Sequence, residues 1–340
     1  PGRWRLDGKA HGPCRHHHRR RARLVAGRAG GRDDRLHLLH GGHRRRTLRR
    51  PALHPGLFGV SGAHRTILLT SVALVAFAGN SILCRMALGG GLMDPAGFTA
   101  VRLGSGAATL WFLIALKSGG VPRTEGHWAS AAALFIYAGA FSLAYVSLDA
   151  GTGALILFGA VQLTMILAGL RAGERPRFRE WLGLALALIG IVVLVRPGLA
   201  APEPTGAALM AAAGIAWGVY SLRGRGSREP LRNTAGNFIL TLPAAALLLV
   251  IPGGFSAWTA SGVGLAVASG ALASGVGYAV WYAALPALTA TRAALVQLLV
   301  PVLAAAGGVA LLSEAIPLRL PVAAALVLGG VALAITARSP

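Results

Sequence analysis

From residue 66 onward the apolar positions do not alternate with polar ones at a strand period or leave a polar helical face. They run in continuous blocks, broken by short polar stretches. A membrane-spanning helix needs about 20 consecutive, predominantly apolar residues. Measured against that length, the chain holds ten blocks: 66–87, 96–116, 128–148, 151–170, 180–195, 205–222, 235–252, 260–284, 289–311 and 318–337. The stretch GGGLMDP (89–95) closes the first, and Pro95 suits the first turn of the second, where its missing N–H costs nothing. KSGGVPRTEG (117–126) and RAGERPRFR (171–179) read as polar turns, RPGLAAPEP (196–204) as a proline-rich connector, and RGRGSREPLRN (223–233) as the longest hydrophilic loop. The break near Asp149 between the third block and the fourth is the weakest, and the fifth block is short. The pattern predicts an all-α membrane protein of ten transmembrane helices.

Composition divides the 340 residues in two. The chain is 54% hydrophobic and 13% charged, yet carries a formal net charge of +22. Residues 1–65 hold 17 of the 33 Lys and Arg, 3 of the 11 acids and 9 of the 10 His, so the basic excess belongs mostly to this tail. Rich in Arg, His, Gly and Pro, and without period, the tail is expected to be disordered, either a solvated cytoplasmic arm or the product of a misassigned start. Trp4 and Phe58 are its only aromatics besides His, too few for base stacking, so no nucleic-acid partner is expected. Leu24–Ala26 is too short for the apolar core of a signal peptide. Two cysteines, Cys14 and Cys84, make neither a metal cluster nor a disulfide framework, and no metal or cofactor is expected. Soluble domains average about 25% charged residues, and a body as apolar as 66–340 argues against a soluble enzyme.

Charge placement orients the body. Eleven basic residues fall on the side of the even-numbered loops: Lys117, Arg123, Arg171, Arg175, Arg177, Arg179, Arg223, Arg225, Arg228, Arg232 and Arg292. Arg196 and Arg319 fall on the other. The positive-inside rule then puts both termini in the cytoplasm. Trp128 and Trp181 on the inner side and Trp258 on the outer are expected to anchor at the interfaces. A shift of 140 residues lays LDAGTGALILFGAVQL (148–163) on LTATRAALVQLLVPVL (288–303), and 173–195 on 313–335. Glu174 then meets Glu314, and Gly190 meets Gly330. Five spans per copy is an odd number, so the copies must be inverted. Inverted repeats place a solute path at their interface near the bilayer middle. The expected organisation is the tail (1–65), a first repeat (66–198) and a second (199–340).

The ordered set AFAGNSILCRMAL (76–88), FTAVRL around Arg102, GERPRFREWLGLALALIGIVVLVRPG (173–198), AGIAWGVYSLRGRG (213–226), the long run 269–314 and LGGVALAI (328–335) resembles the drug/metabolite transporter superfamily, in its ten-helix type built from two EamA repeats. The resemblance covers about 66–337. It implies a central cavity lined by both halves and alternating-access movement of small metabolites, often export. The family often has a proline in the fourth helix to match Pro301 in the ninth. Here that position is Val161, followed by Gln162.

Polar residues within the spans are the candidates for chemistry, because a charge at the bilayer centre costs at least about 2.5–3.5 kcal/mol. Arg85, near the outer end of its span, is expected to snorkel to headgroups. Arg102, deeper, either binds a solute carboxylate bidentately or bonds helix carbonyls. Asn80, Gln162 and Gln297, with Trp217 and Tyr282, are candidate cavity residues, Arg102 with them. Pro301 and Gly275 are candidate gating positions. Glu174 and Glu314, each just before a helix, read as caps favouring its N-terminal dipole. The function expected is a secondary transporter, an exporter of small organic metabolites, amino-acid-like or anionic, working as a monomer in the inner membrane. The alternatives are a lipid-modifying membrane enzyme and a non-transporting membrane subunit. A membrane enzyme would need clustered acids or a His/Asp/Ser set, and the body has one His, His127.

Overall fold

The computed structural model describes residues 59–118, 121, 123–173, 177–196, 201–250, 258–288 and 290–337. Ten helices account for nearly all of them: α1 (Gly59–Gly89), α2 (Pro95–Ser118), α3 (Trp128–Ala144), α4 (Ala150–Arg171), α5 (Phe178–Val195), α6 (Pro204–Arg223), α7 (Pro230–Leu249), α8 (Ala260–Ala287), α9 (Ala290–Gln297 and Leu299–Leu312) and α10 (Arg319–Ala337). Eight of these are long and apolar enough to cross a bilayer; α3 is shorter, and α7 carries Arg232 and Asn233 in its first turn. Large apolar side chains such as Leu68, Val75, Phe112, Val192 and Leu272 point outward. Lipid tolerates such a surface, and closing every backbone hydrogen bond within a helix suits that solvent.

Helix ends depart from the expected blocks for local reasons. The first helix begins at Gly59, inside the expected tail; residues 1–58 lie outside the described residues. Pro230, pre-set for a first helical turn, starts α7 five residues early and draws Pro230–Asn233 out of the expected loop. α3 stops at Ala144 in a run of turns, with Leu148 N–H still bonded to Ala144 O at 3.0 Å.

The two halves pack as an inverted repeat requires. Under the exchange of α1–α5 for α6–α10, α3 on α6 corresponds to α8 on α1, α4 on α6 to α9 on α1, and α2 on α8 to α7 on α3. The pairs α2–α7, α4–α9 and α5–α10 are each their own counterpart. The α5–α10 seam is made by glycine. A Cβ on Gly183 would strike the carbonyl of Gly330, a Cβ on Gly330 would strike that of Gly183, and one on Gly190 would lie 2.9 Å from Val327 N. Membrane helices gain little from burying apolar surface against each other, so close backbone approach is what drives their pairing.

Two irregularities fall in the second half. α8 widens into a π-helical segment over Ser269–Val276. A Cβ on Gly270 would meet Arg102 O and Ser105 Oγ, so α8 presses its backbone on α2 there. α9 breaks at Leu298, whose N–H turns back to Leu295 O at 3.1 Å. Pro301 explains the break: it has no N–H for the carbonyl of Gln297, four residues back, and its ring crowds that carbonyl. α4, with Val161 in place of a proline, runs unbroken from Ala150 to Arg171.

Candidate substrate cavity

A cavity of about 550 Å³ occupies the middle of the bundle and reaches the α6–α7 turn at the arginine-rich end. Both halves line it. Asn80 (α1), Tyr137 (α3) and Gln162 (α4) face Trp217 (α6), Tyr282 (α8) and Gln297 (α9). Its aromatic wall is continuous. Trp217 lies 4.8 Å from Tyr137 between ring centres, stacks on Tyr220 at 5.3 Å and on Tyr278 at 5.5 Å, and Tyr278 stacks in turn on Tyr282 at 6.2 Å. At the mouth, Arg223 Nε donates to Ser130 Oγ at 3.0 Å, and His127 N–H to Asn237 Oδ1 at 2.9 Å. No carboxylate lines the cavity among the described residues.

The amides differ in what they have left to offer. Asn80 is engaged: Ser269 Oγ, on the π segment, donates to its Oδ1 at 2.6 Å, and its Nδ2 donates to Tyr137 OH at 3.4 Å. Asn237 is engaged on both sides, its Nδ2 donating to Tyr220 OH at 3.3 Å. Tyr282 OH and Thr234 Oγ1 share a bond of 3.0 Å. Gln162 and Gln297 have no hydrogen-bond partner among the described residues, although both line the cavity.

Arg102 sits behind this wall. It is 2% exposed and outside the cavity lining, with Nη2 donating to Ala138 O at 3.0 Å. Its guanidinium lies 5.0 Å from the centre of the Phe141 ring and 5.5 Å from that of Tyr137, whose other sides form the cavity. Of the two readings of Arg102, this geometry is that of a helix-carbonyl bond. Its Nη1 has no partner. Pro301 and Gly275 are also outside the lining; Pro301 is buried in α9, and a Cβ on Gly275 would press on Thr109 of α2 at 2.8 Å.

At the opposite end a cluster of charged side chains joins the halves. Ser313 ends α9 in a left-handed conformation (φ 54°), which turns Glu314 back over the last helical turn. The carboxylate then accepts Ala150 N–H at 2.9 and 3.1 Å and Arg85 Nε–H at 3.3 Å. Arg85 also donates to Tyr145 O and Val146 O and lies 3.6 Å from Asp149. Two expectations change. Arg85 does not snorkel; it crosses to the other half. Glu314 is a cap, but of α4, 164 residues away in sequence, not of the helix that follows it. Its repeat partner Glu174 lies outside the described residues. Burial, the largest influence, with the neighbouring Asp149, raises the Glu314 pKa from its ordinary value, against the pull of Ala150 N–H and Arg85. Trp258 is likewise no free interfacial anchor: its Nε1 donates to Asp94 Oδ2 at 2.6 Å and its ring covers Gly97. Trp128 and Trp181 are exposed, as anchors are. Sequence reading missed the Arg85–Glu314–Asp149 cluster. The count of spans puts Arg85, at the end of the first, and Glu314, after the ninth, on the same side of the membrane, but nothing local pairs them.

A cavity shared by two inverted five-helix halves, reaching one end of the bundle, with a cross-half ion pair at the other, is a membrane transporter architecture. Residues 64–196 and 204–336 each match the EamA-like transporter family, and the chain belongs to that family. The two matches are offset by 140 residues, as the internal repeat is. An uncharacterized protein of Pseudomonas aeruginosa is 54% identical over 274 residues, 81% of this chain and 96% of its own. An uncharacterized transporter of Archaeoglobus fulgidus is 26% identical over 203 residues, 58% of this chain and 72% of its own. A solved crystal structure with 23% identity covers 80% of this chain and 96% of that one, with a TM-score of 0.57, a likeness of fold.

Proposed function

We propose that the protein is a secondary transporter that exports small organic metabolites across the cytoplasmic membrane by alternating access, with both termini in the cytoplasm. The observation that carries this reading is a cavity that reaches one end of the bundle while the two halves are bound together at the other. The cavity opens where Arg223 and Arg225 stand, and the positive-inside bias makes that end cytoplasmic. The far end is held by Glu314, Arg85 and the α4 N-terminus. Such an inward-open form is the one that takes up solute from the cytoplasm, as export requires. A volume of about 550 Å³ falls within the roughly 300–1,000 Å³ of small-molecule sites. One chain supplies the whole cavity, which supports action as a monomer. An anionic or amino-acid-like solute, the expectation tied to Arg102, finds its cations instead at the mouth, in Arg223 and Arg225. Neither enzymatic nor scaffold alternatives have an observation in their favour.

The test is uptake and efflux of a metabolite panel in proteoliposomes, with and without a pH gradient. Transport is expected to saturate and to be exchangeable across the membrane. A reconstituted, folded protein that moves no solute in either direction overturns the reading.

A further inference from the structure

Resting on that reading of the cavity as a solute site, we infer that its ligand is a flat heterocycle whose edge presents a hydrogen-bond donor beside an acceptor, uncharged or anionic. Three features converge. The first is the pair of Gln162 and Gln297, one from each half. Gln162 is 7% exposed, yet neither amide is satisfied by the protein among the described residues. Both side chains line the open cavity, so their amide donors and acceptors are left to a solute. A primary amide offers C=O and N–H₂ side by side, the complement of a ring –CO–NH– or amidine edge, the same geometry by which glutamine reads adenine.

Gln297 adds to this by position. It is the last residue before the break in α9, where Pro301 withholds the donor its backbone carbonyl would ordinarily receive.

The second feature is the wall. Tyr278 lies within 25° of parallel to Trp217 and within 20° of Tyr282, and all three rings line the cavity. Offset stacking on such a face is worth about 0.5–1.5 kcal/mol beyond area burial, and only a planar ring collects it. The third is charge. Among the described residues no carboxylate lines the cavity and two guanidinium groups stand at its mouth, a charge pattern that disfavours a cation. A carboxylate alone would leave the amide N–H₂ groups paired but the amide oxygens idle; a donor–acceptor edge uses both.

The experiment uses the full chain, purified and reconstituted, with four neutral probes and one cation. Uracil and hypoxanthine carry the ring and the edge. 5,6-Dihydrouracil keeps the edge and loses planarity. 1,3-Dimethyluracil keeps the ring and loses the donors, and tetraethylammonium carries only charge. Ligand-induced thermal stabilisation reads binding, and counterflow of labelled hypoxanthine reads transport. Uracil and hypoxanthine are expected to stabilise the protein and the other three to do so at least about tenfold less well in concentration, the scale of one lost polar contact in a built site. Gln162→Met and Gln297→Met, which remove amides that hold nothing in the protein, are expected to leave the unliganded melting temperature in place and weaken hypoxanthine about tenfold or more.

Equal binding of dihydrouracil or dimethyluracil, preference for tetraethylammonium, wild-type affinity in both glutamine variants, or no heterocycle binding while glycine or glutamate shows counterflow each overturns the ligand class and leaves transport standing. Heterocycle binding without flux in either direction supports the ligand class and removes the transport reading.

Discussion

At the scale of single residues, the charges in this membrane domain do structural work across interfaces. Arg102 ties α2 to α3 through Ala138 O and lies against two rings. Arg102→Met keeps the stem and removes these contacts, and is expected to cost about 1–3 kcal/mol, read as a lower unfolding temperature in detergent. The KM for the transported solute should stay within about twofold, since lost ground-state contact is what raises KM; a large rise in KM at unchanged stability would return Arg102 to the solute. Cys84, fully buried beside Arg85, reports on the end that Glu314 holds. Because the Glu314 pKa is raised, the carboxylate protonates at a higher pH than an ordinary one and then loses its ion pair with Arg85. Glu314→Gln mimics that state. With Cys14 replaced by Ser, labelling of Cys84 by an impermeant maleimide added outside is expected to rise in Glu314→Gln, and in the parent as the outside is acidified; no change in either would mean that access at this end does not depend on this carboxylate. Sequence placed Asn80, Gln162, Trp217, Tyr282 and Gln297 on spans, and all five line one cavity. It could not place Arg85 against Glu314, because a bond across 229 residues leaves no local trace.

Helices were the most legible part of the chain, since lipid demands about 20 apolar residues in a row and allows little else. What escaped were features decided by neighbours. The π segment of α8 coincides with backbone pressed on α2, a contact that composition does not encode. The break in α9, by contrast, was readable from Pro301 alone, and the contrast with Val161 in α4 held. Pro301→Ala restores a donor to Gln297 O and is expected to straighten α9, slowing turnover while raising thermal stability; turnover at the parent rate would remove the break from the transport cycle. The α6 terminus has its own pH signature. Glu203 accepts Thr205 N–H at 2.8 Å and also Gly206 N–H, and these backbone bonds lower its pKa. Its contribution to stability is therefore present above the usual carboxylate range and is lost as the pH falls through the depressed value. Glu203→Gln should flatten that acid limb in thermal melts, and an unaltered profile would assign the limb elsewhere.

For the molecule as a whole, the arrangement of ten helices makes a plain demand on sidedness. A reporter inserted after Gly226, in the α6–α7 turn, should read cytoplasmic, and one after Gly90, in the α1–α2 turn, should read external. The same side for both would undo the inverted repeat. The glycine seam of α5 and α10 lies on the pseudo-twofold itself, so Gly183→Leu is expected to separate the halves and lower expression and stability together. The break in α9 and its absence in α4 have a different bearing. Two inverted halves that were mechanically identical would give a carrier equal residence in its inward and outward forms. This chain bends in one half only, so the two forms differ in energy even when empty. Such a difference cannot choose a direction of net flux, because concentration gradients alone fix that for a passive carrier. It sets instead the waiting time on each side of the membrane, and with it the concentration at which each face half-saturates.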